Sequence, residues 1–111
     1  DAFLLERAVL NLLENAAAFT PPGGALFVGI SRAEGFWRLA VEDSGPGVPD
    51  YALSHVFERF YSLPRPDTGR KSSGLGLAFV REVTSLHGGT ASLSNRAGGG
   101  ARATLSLPAN A

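Results

Sequence analysis

The sequence predicts a two-layer α/β sandwich, a mixed sheet covered on one face by helices. Three observations predict it. Residues 1–19 and 74–86 carry apolar side chains at helical spacing. Residues 26–41 and 90–107 alternate apolar and polar side chains in pairs of runs joined by glycine-bearing turns. Neither kind of element can bury its apolar side alone, and 111 residues suit one domain built around one core.

The elements follow in order. Leu5, Val9, Leu12, Ala16 and Phe19 form the stripe of the first helix, which Thr20-Pro21-Pro22-Gly23-Gly24 ends. Leu26, Val28 and Ile30 mark a strand, Ala33-Glu34-Gly35 a turn, and Trp37, Leu39 and Val41 a second strand, together a hairpin. Asp43-Ser44-Gly45-Pro46-Gly47 is a rigid loop, and residues 50–56 suit a short helix. Residues 59–73 have few apolar anchors and read as a long loop. The second long helix ends at Gly88, and a hairpin with Gly98-Gly99-Gly100 at its turn completes the chain.

Composition narrows the function. Ten basic residues balance ten acidic ones, which gives no general reason for a nucleic acid or anionic membrane as partner. The absence of cysteine excludes disulfides and thiolate metal sites. No apolar run approaches the ~20 residues that span a bilayer. The chain opens inside what reads as a helix, which predicts a piece of a longer protein.

Several residues carry chemistry. Asn11 and Asn15 are four apart and share a helix face, read as the one opposite the core stripe. Two amides there are either solvated or turned toward a hard cation, since Mg²⁺ takes oxygen ligands. Asp43 alternates with Trp37, Leu39 and Val41, so the strand drives a carboxylate toward the core. It either caps its own Asp-Ser-Gly turn or accepts a hydrogen bond from a ligand amine. Gly45 and Gly47 permit close backbone approach. Gly74-Leu75-Gly76-Leu77 opens a helix whose free N–H groups suit an anion. Arg59, Arg65, Arg70 and Lys71 are either solvated or part of a lid that closes over phosphates, with Phe57 and Phe60 rooting it against the core. His55 and His87 stand apart from other candidate ligands.

The order of these signals is specific. Asn11-Leu12-Leu13-Glu14-Asn15-Ala16, Asp43-Ser44-Gly45-Pro46-Gly47, Phe57-Glu58-Arg59-Phe60 and Gly74-Leu75-Gly76-Leu77 resemble the N, G1, F and G2 boxes of bacterial sensor histidine kinases. The stretch from Phe57 to Arg81 is most similar to the carbon-source-responsive CreC sensor kinases. The resemblance covers almost the whole chain. It implies the Bergerat-type fold of the GHKL ATPases, with ATP and Mg²⁺ as cofactors. It assigns Mg²⁺ to Asn15 with Asn11 alongside, the adenine amino group to Asp43, and the adenine's flank to Phe19. Phosphates go to Gly74 and Gly76, with Gly45, Gly47, Phe57, Phe60, Leu75 and Leu77 completing the pocket. One position departs: a basic residue often precedes the closing aromatic, and here it is Ala18. Charge neutralisation then falls on Mg²⁺ with Arg59, Arg70 or Lys71.

The resemblance also implies partners and place. The γ-phosphoryl group goes to a histidine on a separate dimerisation domain of the same protein, and from there to a response regulator. The isolated chain is expected to bind nucleotide as a monomer without autophosphorylation, and the whole protein to be a homodimeric inner-membrane sensor with this domain in the cytoplasm. Two rivals stand beside it. One is an anti-sigma-type protein serine kinase, which the Phe-Glu-Arg-Phe-Tyr run at 57–61 opposes. The other is a nucleotide-sensing interaction module without catalysis, which Ala18 favours.

Overall fold

A computed structural model describes residues 2–61 and 76–109. Helix α1 spans Ala2–Phe19, strand β1 Leu26–Ala33 and strand β2 Phe36–Asp43. A short helix α2, Asp50–Leu53, follows, then helix α3, Gly76–Leu86, and strands β3, Thr90–Asn95, and β4, Ala101–Pro108. The two-layer α/β architecture is the expected one. The turn between β1 and β2 needs only Glu34 and Gly35, both at positive φ (55° and 80°), the combination that matches the twist of a two-residue hairpin.

The sheet order is β1-β2-β4-β3, and every neighbouring pair is antiparallel. The described sheet is therefore antiparallel rather than mixed: β2 and β3 both run against β4, and so in the same direction as each other, with α3 in the connection. β4 inserts between them, so no parallel ladder forms.

The core joins Ala8, Leu12 and Ala16 of α1, Val41 of β2, Val80 and Val83 of α3, and Ala103 and Leu105 of β4. The buried stripe of α1 therefore runs through Ala8, Leu12 and Ala16, not through Leu5 and Val9, which are half-buried. The cause is that α1 packs on α3 as well as on β2, and small residues let the two helices approach closely. α3 covers β3 and β4. β1 has no such cover: all eight of its residues are exposed, Val28 by 55% and Ile30 by 71%.

Candidate functional site

Asp43 is the last residue of β2 and is only 6% exposed. Its Oδ1 accepts hydrogen bonds from the backbone N–H of Gly45 at 2.9 Å and of Ala101 at 3.3 Å. Two donors on one oxygen fix the carboxylate's orientation and offset part of its desolvation. Among the described residues, Oδ2 has no hydrogen-bond partner. The turn-capping alternative is thus observed for one oxygen, and the other is unbonded among the described residues.

The loop after Asp43 is pressed against the end of α1. A Cβ at Gly45 would stand 2.2 Å from the carbonyl oxygen of Phe19, so no side chain fits there. Ser44 ties the same loop to the segment before β1, its Oγ accepting from Ala25 N–H at 2.8 Å and its own N–H donating to Ala25 O at 3.1 Å. Gly47 has φ +79°. Half-buried Phe19, Asp43, Gly45 and Gly47 are therefore brought together at one end of the helix–sheet interface. Thr20 Oγ donates to Ala16 O at 2.8 Å and closes the last turn of α1 beside them.

Asn15 lies one turn before Phe19, about 6 Å back along the helix axis, and Asn11 one turn further. Both are half-buried and flank the Ala8–Leu12–Ala16 stripe. The expectation that they face away from the core is corrected: once Ala8 joins the buried stripe, the stripe's edge falls on the asparagines. Among the described residues, neither side-chain amide has a hydrogen-bond partner.

Comparisons with known proteins identify the family and match the fold. A model of the histidine kinase-, DNA gyrase B- and HSP90-like ATPase family matches residues 1–111. The chain belongs to that family. It is 53% identical to the sensor protein CreC of Escherichia coli strain K12 over 104 residues, 94% of this chain and 22% of that protein. Its fold superposes on a mycobacterial sensor histidine kinase, MprB, with a TM-score of 0.84 and 38% identity, covering 97% of this chain and 72% of that one. It also matches full-length ShkA in complex with AMPPNP at a TM-score of 0.77 and 32% identity, covering 95% of this chain and 21% of that one. The chain thus spans about a fifth of the length of the CreC protein it matches.

The remaining candidates of this ATPase-family domain are placed as follows. Gly76 opens α3 in open space, and half-buried Leu77 packs against the core. Arg59 is ion-paired with Glu82 on α3, which ties the Phe57–Tyr61 run to that helix. Phe57 is half-buried. Phe60 is a correction: it is 76% exposed, with φ +67°, and is not buried in the core of the described residues. Val56 and Ala52 are the buried residues of that segment, because the chain turns at Phe60 into a conformation that aims its ring at solvent. Arg65, Arg70, Lys71, Ser72, Ser73, Gly74 and Leu75, and with them the expected lid, lie outside the described residues.

Three residues beside Asp43 were not foreseen. Asn95 bonds Val48, Arg96 bonds the carbonyl of Asp43, and Gly100 lets the β3–β4 turn approach Asp43. A Cβ at Gly100 would stand 1.9 Å from that carbonyl oxygen. The only sequence signal was a glycine-rich turn, which a hairpin alone also requires.

Proposed function

We propose that this domain binds Mg-ATP and presents its γ-phosphoryl group to a histidine on a separate dimerisation domain of the same sensor kinase. The observation that carries the reading is Asp43: a buried carboxylate with one oxygen held by two backbone N–H groups and the other unspent. An exocyclic adenine amine is a donor of the kind that oxygen lacks. Phe19 offers an apolar flank, and Gly45 lets the Asp43 loop pack directly on the end of α1 beside it.

The polar residues present also fit a magnesium ion. Mg²⁺ is held by one or two protein oxygens together with substrate phosphates, and it neutralises charge on the transferring group. Asn15 is the ligand, with Asn11 one turn away on the same edge of α1. No cluster of three His, Cys, Asp or Glu residues exists among the described residues, so an amide–phosphate site needs the nucleotide to complete it. The protein's own contribution is orientation and charge placement. The response regulator, the membrane-borne sensor and the cytoplasmic position of this domain belong to the same proposal.

The test has two arms. Calorimetric titration should show ATP binding that weakens when magnesium is chelated. Labelled ATP mixed with this domain and a purified histidine-bearing dimerisation domain should label the latter. Binding without transfer would favour the nucleotide-sensing module, which Ala18 and the engagement of Arg59 by Glu82 support.

A further inference from the structure

The loop from Asp43 to Val48 is fastened at both ends by two consecutive side chains of the opposite turn. Asn95, the last residue of β3, docks its amide on the backbone of Val48: Oδ1 accepts from Val48 N–H at 2.7 Å, and Nδ2 donates to Val48 O at 2.7 Å. The amide thereby imitates a strand partner for a residue that has none. Arg96 follows. Its Nη1 donates to Asp43 O at 2.8 Å, its Nε lies 3.6 Å from Glu42 Oε1, and its guanidinium covers the Phe27 ring at 5.6 Å. Three contacts on three strand residues hold the guanidinium in one orientation. The turn is itself closed, with Arg96 N–H donating to Gly100 O at 2.9 Å.

The segment between the fastenings is Ser44-Gly45-Pro46-Gly47. Ser44 is bonded to Ala25 and Gly45 is wedged against Phe19 O, so among the described residues Pro46-Gly47 is the part without a bond to a neighbouring element, and it leads directly into Val48. The aim of the Asp43 carboxylate depends on its own peptide plane, and Arg96 holds that plane's carbonyl. We infer that Asn95 and Arg96 are positioning residues that set purine selectivity by holding the Asp43–Val48 loop where Asp43 can accept from a 6-amino group. This role presupposes that Asp43 reads adenine. The residues act on which base is accepted. They do not bond Asn11 or Asn15, the proposed metal position on α1.

The experiment compares wild type with Asn95→Ala, Arg96→Gln and Arg96→Lys. It measures the affinity for Mg-ATP and for Mg-inosine triphosphate, which carries an oxo group in place of the amino group. In the first two variants the preference for ATP should fall about tenfold, the value of one hydrogen bond to a well-placed group, while inosine triphosphate affinity stays within about twofold. Arg96→Lys keeps a donor for Asp43 O and should recover part of the preference. Equal losses for both nucleotides, or an unchanged preference, overturn the positioning role. A wild type that binds ATP without preferring it overturns Asp43 as reader and the positioning role together. Amide hydrogen exchange without nucleotide gives an independent readout: Val48 N–H should exchange faster in Asn95→Ala, and unchanged protection there would also overturn the role.

Discussion

A carboxylate earns attention when one oxygen is spent and the other is not. Oδ1 of Asp43 is satisfied by Gly45 and Ala101, so replacing Asp43 removes both a ligand contact and a loop brace. Asp43→Asn keeps the brace. Its Nδ2 then faces the base as a donor, so it should bind inosine triphosphate, whose 6-oxo group accepts, more tightly than wild type does and lose the preference for ATP by about tenfold or more. Competition titration with the two nucleotides checks this. Asn15→Ala should make ATP affinity insensitive to magnesium chelation, whereas wild type loses affinity on chelation. Its melting temperature should hardly move, because Asn15 bonds no described residue. Both residues were legible in the sequence, one as a charge on an apolar strand face and the other as a polar position in an apolar helix. Asn95 and Arg96 were not, because their partners lie 47 and 53 positions away and local patterning carries no trace of so distant a bond.

Elements were more legible than their neighbours. Alternation and turn chemistry located both hairpins, and the proline-glycine run after Thr20 ended α1 where the structure ends it. The helix stripe was read one position off, because periodicity reveals a face but not that α3 packs on the same face and pulls Ala8 inward. Phe60 shows the converse error: an aromatic suggested an anchor, and the backbone turned it outward. The junction of α1 with the Asp43 loop is a tightly constrained contact between elements. Gly45→Ala places a methyl group 2.2 Å from Phe19 O, so the helix end or the loop must shift. The expected cost is about 1–3 kcal/mol, read as a lowered denaturation midpoint with unchanged slope, together with weaker nucleotide binding. A Gly45→Ala domain as stable as wild type would show that the junction is soft.

For the whole molecule, the uneven cover of the sheet and the state of the histidines carry the consequences. β1 is an edge strand exposed along its full length, so Ile30→Lys should leave stability within about 0.5 kcal/mol of wild type and improve solubility. Chemical denaturation and light scattering read the two effects. Phosphoryl transfer within one copy would require one of its two histidines as acceptor. His55 Nδ1 lies 2.7 Å from Glu58 Oε2, and its ring stacks on Tyr61. His87 Nδ1 lies 2.8 Å from Val83 O at the end of α3. Each ring is thus already oriented by the fold, and an incoming phosphoryl group beside the Glu58 carboxylate would meet like charge. On the proposed function, the acceptor is a histidine from another domain rather than either of these two. The doubly substituted His55→Gln, His87→Gln domain should label a supplied dimerisation domain as fast as wild type does, and neither form should label itself when incubated alone with ATP. Self-labelling of wild type that disappears in the double variant would mean that one of these histidines is an acceptor after all.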